Sequence, residues 1–325
     1  MKFIFPRLLV ALILILLPTM VGNEFYVNLA SQVLIYALLA MSLNILVGLG
    51  GMVSLGHAAY LGVAAYADAW LVTNAGVDAL SAAFIAVTVT TAMAALFGVL
   101  ALRAAGLGFV MITLALAQIL WGLGYRWADL TGGDNGIRLA SRPAPFGIDL
   151  ASPTHFYYFT LVAFTVAFVC LWRLAHSPFG ASLRGARDQP RRMRMLGHHV
   201  WMVRWIAFIM AGFWGSIAGL LFVYYNQFIH PHSLSLQQSA EALLMVILGG
   251  ANTFLGPIVG ALIITLVKNV ASSYVDRWNS LLGLIFVVVV LFMPQGLVPG
   301  FKLRWTQFTA RGRKVLVAAH APPSP

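Results

Sequence analysis

Three ionisable side chains stand inside long apolar runs: His57 in GGMVSLGHAAYLGVAAY, Asp68 in AAYADAWLV and Glu241 in EALLMVILGG. An ionised group taken into hydrocarbon costs about 3 kcal/mol or more, so each is a candidate proton carrier, ion ligand or solute contact by default. Each also has a plain structural reading. Asp68 lies near the outer end of its run and can reach water. Glu241 opens a short run, where a helix N-terminus would favour a carboxylate, or it faces a cavity; both readings stand. His57 lies among Gly48, Gly50, Gly51, Gly56 and Gly62. Small residues let helices approach closely, so it reads first as a satisfied histidine in a tight contact, with Asn44 and Ser54 as hydrogen-bonding neighbours.

Other chemistries are not written here. No G-x-x-x-x-G-K-[ST] loop is present, so this chain does not cradle ATP by that route. His198 beside His199, and His230 and His232 around Pro231, lack the spacing of a metal set, and no cofactor is expected. The single Cys170 lies in an apolar run and reads as a packing residue. A net charge of +11 could suggest nucleic acid. The basic residues, however, have no interleaved aromatic platform and sort by loop, which argues against such a partner.

The sorting is sharpest in SPFGASLRGARDQPRRMRMLG, Ser177 to Gly197, which holds Arg184, Arg187, Arg191, Arg192 and Arg194 in a chain that is only 9% charged. Arg184, Arg187, Arg191 and Arg194 recur at the three- and four-residue steps of one helical face. Asp188 as N-cap, Pro190 in the first turn and Gly197 just past the end predict a helix of about two turns that also carries Met193, Met195 and Leu196. Charge laid against anionic lipid headgroups explains the arginines alone. A docking helix for a cytoplasmic partner explains the punctuation and the apolar side chains as well.

The elements that must position these residues follow from composition. With 61% hydrophobic residues and a mean hydropathy of +0.88, the chain belongs in a bilayer, and unbroken apolar runs cross it as helices. The reading is an all-α, polytopic membrane bundle of about ten segments, near residues 8 to 22, 27 to 48, 52 to 73, 79 to 102, 106 to 127, 154 to 174, 204 to 226, 237 to 250, 254 to 275 and 279 to 298. Lys2 and Arg7 before the first run imitate a secretory signal, but no small-x-small cleavage site follows, and it is kept as a membrane helix. With the N-terminus inside, fifteen of the twenty Lys and Arg fall on the cytoplasmic side. Arg126, Arg138, Arg142, Lys268 and Arg277 fall outside or near the outer boundary, and both termini are cytoplasmic. The eighth segment is short and ends at Gly249 and Gly250, which suggests a broken or re-entrant helix. GGANTFLGPIVGA, with Gly256 and Pro257, reads as a hinge. Residues 1 to 301 form one membrane domain, with an inner loop over about 175 to 203 and an outer loop over about 128 to 153. Residues 302 to 325 form a basic tail, expected to be disordered near membrane lipids.

The segment NILVGLGGMVSLGHAAYLGVAAY, Asn44 to Tyr66, resembles the signature of LivM-type permeases of bacterial branched-chain amino acid ABC importers. TGGDNGI, SPFGASLRGARDQP, EALLMVILGG, LGPIVGA and MPQGLVPG follow in the order such permeases have, over roughly residues 30 to 300. The resemblance implies a subunit of the inner membrane that carries the translocation path without hydrolysing ATP. Its implied partners are a second permease chain of LivH type, two cytoplasmic ATPases and a periplasmic solute-binding protein. It also implies that the arginine-rich loop, with Gly180, Ala186, Arg187, Asp188 and Gly197 at matching positions, couples to the ATPase; Arg184 and Met195 join them from the helix pattern read above. Asn44, Ser54, Gly56, His57, Glu241, Gly249, Gly250, Gly256 and Pro257 would then lie along the path or its hinge.

Three departures stand out against that family. RRMRM replaces a run of small residues after RDQP, Asn252 replaces a glycine after Gly249 and Gly250, and Asp68 takes the place of a small or hydroxylated residue. The cargo stays open between branched-chain or other amino acids, urea or short amides, and small aromatic acids. An autonomous secondary transporter using Asp68 or Glu241 is the rival from another class.

Overall fold

Inside a bilayer a backbone meets its hydrogen-bonding needs within its own helix, and this chain does so almost throughout. A computed structural model describes residues 14–20, 22–139, 142, 150–274, 280, 283–285, 287–288, 291 and 296–300. Helix α1 (Glu24–Asn44) runs on without a break through a π-turn, Ile45–Leu49. It is followed by α2 (His57–Thr73), α3 (Ala79–Ala101), α4 (Leu107–Arg126), α5 (Pro153–His176), α6 (Pro178–Asp188), α7 (Pro190–Met195), α8 (Val200–Asn226), α9 (Leu236–Gly249) and α10 (Gly256–Tyr274). Side chains at the N-caps set several starts: Asn23 accepts from the Phe25 N–H, Asp78 from Leu80, Ser177 from Gly180 and Ser235 from Gln238.

Among the described residues, five helices, Glu24–Leu49, α3, α4, α5 and α8, are long and apolar enough to cross a membrane. Helices α1 and α8 are the most buried of these and form the centre: α8 packs on α1, α2 and α3, and α1 packs on α5, α9 and α10. Close approach there depends on missing side chains, as at Gly219, where a Cβ would collide with the Leu61 carbonyl. Helices α3, α4 and α5 turn Phe84, Leu96, Leu107, Met111, Val162 and Val166 outward. In water such a surface would aggregate; against lipid tails it is the expected one. Cys170 is exposed on this outer surface of α5, which corrects its reading as a packing residue: the apolar run gave depth in the membrane but not which face.

The ends of α1, α5 and α9 gather around α6 on one side. On the other, strand β1 (Ile137–Arg138) pairs antiparallel with β2 (Phe228–Ile229), Ile137 opposite Ile229 and Arg138 opposite Phe228. Arg142, on that same side, donates to the Leu150 carbonyl at 3.1 Å and lies over the Phe156 ring. Burial pushes its guanidinium down from the usual value, partly offset by Tyr225.

Two expected elements differ. The third segment is not helical from residue 52: α2 begins only at His57, and residues 51–56 are irregular. Gly51 takes a φ of +65°, open to glycine at little cost, and turns the chain out of the helix. The arginine segment forms two helices rather than one. Pro190 disfavours a helical residue before it, so Gln189 takes φ −143° and breaks the run. Asp188 therefore ends α6 instead of capping α7, and Gln189 caps it without a side-chain bond. Arg184 and Arg187 then belong to one helix, Arg191 and Arg194 to the other. Gly197 does lie just past the end, at φ +84°. About half of the first and of the last expected spans, together with both termini and the tail, falls outside the described residues.

Candidate functional site

Helix α2 starts beside Thr113 and Ala117 of α4, well inside that helix rather than at its end. A helix starting at such depth has first-turn N–H groups that water cannot serve. Side chains serve them instead. Leu55 N–H donates to Thr113 Oγ1 at 3.4 Å, Gly56 N–H to Ser54 Oγ at 3.3 Å, and Ala58 N–H to Ser239 Oγ at 3.1 Å. Gly56 has no room for more, because a Cβ there would come 2.5 Å from the Thr113 carbonyl. His57 is fully buried, with Nε2 2.7 Å from Ser42 Oγ. The Ser42 hydroxyl donates to the Leu39 carbonyl, so it accepts from His57, which assigns the proton to Nε2. Nδ1 is then a bare acceptor, buried and without a hydrogen-bond partner. Ser239 and Thr113 join α9 and α4 to the start of α2.

A second cluster lies where the π-turn ends α1. Its backbone bonds reach five and six residues, Gly50 N–H to Ile45 O and Met52 N–H to Leu46 O, and the Gly48 carbonyl accepts from Arg187 Nη1 of α6 instead. The same nitrogen donates to Asn252 Oδ1 at 3.1 Å, while Arg187 Nε holds Asp188 at 2.8 Å. The aliphatic part of Arg187 lies on Gly51, where any Cβ would collide with it. Asn44 Nδ2 donates to the Thr253 carbonyl at 3.2 Å. One guanidinium thus touches both the end of α1 and the turn between α9 and α10. Helix α6 is itself fixed: Ser177 caps it through the Gly180 N–H, Arg184 Nη1 donates to the Ala175 carbonyl at 2.7 Å, and Arg204 of α8 donates to the Ala186 carbonyl at 2.9 Å. Met195, on α7, is 89% exposed. A cavity of about 360 Å³ opens between α1, α5, α6 and residues 251–254.

The turn after α9 is backbone against backbone. Gly249 faces Gly256, Gly260 faces the Met245 carbonyl, and Gly250 at φ +108° lies on Gly296. Thr253 Oγ1 accepts from the Gly256 N–H and donates to the Gly250 carbonyl, and Pro257 follows in the first turn of α10. This part of the expected hinge is brought together as a tight joint.

Glu241 neither opens its helix nor stands alone. It is the sixth residue of α9, whose cap is Ser235, and its carboxylate holds Lys268 of α10 at 2.9 Å. The Lys268 ammonium also lies 5.9 Å from the Tyr36 ring centre. Lys268, read as a charge outside or near the outer boundary, is thus the partner of a buried acid. Nor does Asp68 reach water: it is fully buried and accepts from Tyr224 O–H at 3.1 Å.

The sequence profile described as "Branched-chain amino acid transport system / permease component" matches residues 25–293, which take in the His57, Arg187, Asp68 and Glu241 contacts above. The chain belongs to this family. It is a multi-pass membrane permease, a transport protein rather than an enzyme. The high-affinity branched-chain amino acid transport system permease protein LivM of Escherichia coli K12 is 27% identical over 92% of this chain and 78% of its own. LivM of Salmonella typhimurium LT2 is 26% identical over 84% and 70%. The autoinducer 2 import system permease protein LsrC of Salmonella paratyphi B is 30% identical over 54% and 50%. No solved structure matches.

Several contact residues of this permease were not singled out by its sequence: Ser42, Thr113, Ser239, Tyr224 and the role of Lys268. Serines and threonines in apolar helices carry no pattern that names their partner; only Lys268, an ion in the run LVKNVA, offered a signal. Ser239→Ala is expected to lower stability by about 1 kcal/mol, the usual loss of an N-cap acceptor. Thermal unfolding in detergent micelles measures it, and an unchanged midpoint would show that the Ala58 N–H finds another acceptor.

Proposed function

We propose that this permease is the membrane-spanning subunit of an ABC importer in the bacterial inner membrane, moving branched-chain or other hydrophobic amino acids. Two cytoplasmic ATPases drive it, a second permease of LivH type completes the path, and a periplasmic binding protein delivers solute. Residues 1 to 301 act as the transport domain, with both termini in the cytoplasm. The observation that carries the reading is the Arg187 contact, since it joins a helix outside the membrane core to Gly48 and Asn252, beside two interrupted membrane elements. The similarity to LivM permeases of high-affinity branched-chain amino acid transport systems supports the cargo.

In this reading α6 and α7 dock on the ATPase, with exposed Met195 and the arginines as the contact. When ATP closes the motor, α6 moves, and Arg187 draws the end of α1 and the Gly249–Gly256 joint with it. The irregular stretch 51–56, with Ser54, Gly56 and His57, yields beside the path.

Reconstitution tests this directly. The complete set of subunits in proteoliposomes should accumulate leucine only with ATP and binding protein. The chain alone, given a proton or sodium gradient, should carry none. Uphill flux by the chain alone would overturn the reading and favour the secondary transporter.

A further inference from the structure

The cavity beside Arg187 has walls of two kinds. Met41, Ile45, Leu171 and Phe254 are apolar, while Arg184 and Arg187 contribute two guanidinium groups. Among the described residues no acidic side chain lines it; Asp188 takes only Nε of Arg187. Arg184 gives Nη1 to the Ala175 carbonyl, which leaves its Nε and Nη2 edge, the planar pair that grips a carboxylate with two parallel bonds. Two cations facing a partly enclosed space favour an anionic occupant, and the apolar wall favours one with a short hydrocarbon body. The volume of about 360 Å³ is at the lower end of small-molecule sites, roughly 300–1,000 Å³. His176 and Asn252, both exposed, mark its open rim.

We propose that this cavity is a release-side binding site for an apolar amino acid, held by its carboxylate on Arg184 and by its side chain against Met41, Ile45, Leu171 and Phe254. The ammonium group stays toward the open rim and water. The proposal rests on the functional reading above and adds to it a second place where solute is held, between the membrane path and the cytoplasm. Because Arg187 is shared between this wall and the contacts to Gly48 and Asn252, an occupied site touches the same guanidinium that joins α6 to the membrane helices.

The test uses the assembled importer in nanodiscs, without binding protein and without ATP. Radiolabelled leucine should bind saturably. 4-Methylpentanoate, which keeps the carboxylate and the side chain, should displace it. Leucinamide, which lacks the carboxylate, should compete at least roughly tenfold less well, and Arg184→Gln should weaken leucine binding by a similar factor. Equal competition by leucinamide, or no saturable binding, would overturn the site whatever the variant does. Nanodiscs of phosphatidylcholine alone are compared with others containing phosphatidylglycerol; loss of leucine binding in the second would mean that a lipid headgroup is the natural occupant, and the proposal fails. ATP-driven leucine uptake by the unaltered importer is measured alongside. Uptake with no carboxylate preference at the cavity rejects this site alone, whereas carboxylate-specific binding without uptake upholds the site and rejects the functional reading.

Discussion

Replacing Arg187 and Asp188 together with alanine is expected to leave the permease folded and its ATPases hydrolysing, while leucine uptake per ATP falls roughly a hundredfold. Hydrogen bonds to a charged donor contribute about 1.5–3 kcal/mol each, and Arg187 makes two of them across the boundary between α6 and the membrane helices. Losing both removes at least about 3 kcal/mol of connection, which is more than a factor of one hundred. The Arg187–Asp188 pair itself, 30% and 61% exposed, adds little to the fold, so the loss is confined to the two bonds that tie α6 to the membrane helices. Helix α6 keeps its Ser177 cap and its bonds through Arg184 and Arg204.

Two companion variants separate connection from charge. Arg187→Lys keeps the cation but not the planar fork, and should resemble the double variant more than the parent. Asn252→Ala removes one of the two bonds and should fall between them. Radiolabelled leucine uptake and phosphate release, measured in the same proteoliposomes, give the ratio. Unchanged uptake per ATP in the double variant would mean that motion reaches the membrane helices by another route, such as the α8 contact through Arg204.

These residues also mark where sequence reasoning reached and where it stopped. Hydropathy sums over a whole run, so it located α3, α4, α5 and α8 within a few residues. It is insensitive to where a helix starts inside an apolar stretch, and so placed the third segment at residue 52, although Gly51 delays α2 until His57. Periodicity read one arginine face across residues 184 to 194 because it carries no steric term for Gln189 before Pro190. Gly180, Ala186 and Arg187 were legible as a group through their motif, but the partner of Arg187 was not: Gly48 is 139 positions away, and its carbonyl is available because a π-turn changed the local bonding. Asn252, noticed only as a departure from glycine, turned out to supply the second acceptor.

The Glu241–Lys268 pair gives the largest expected effect on stability. Glu241 is 1% exposed and Lys268 24%, so Glu241→Gln takes the carboxylate away from a largely buried ammonium, and should destabilise the bundle by about 3–5 kcal/mol. Lys268→Met leaves the carboxylate in the same position and should cost a similar amount. Replacing both at once, Glu241→Leu with Lys268→Met, should recover most of the loss, because a buried pair exchanged for apolar groups of similar size is often neutral or better. Thermal unfolding of the three variants in detergent reads this pattern, and single variants as stable as the parent would show that the pair does not hold α9 to α10. Uptake then separates the two functional readings. If Glu241 carried a proton or an ion, the double variant would be folded and inactive. In an importer driven from outside through Arg187, the pair is a joint between two helices, and the double variant should regain ATP-driven uptake together with its stability.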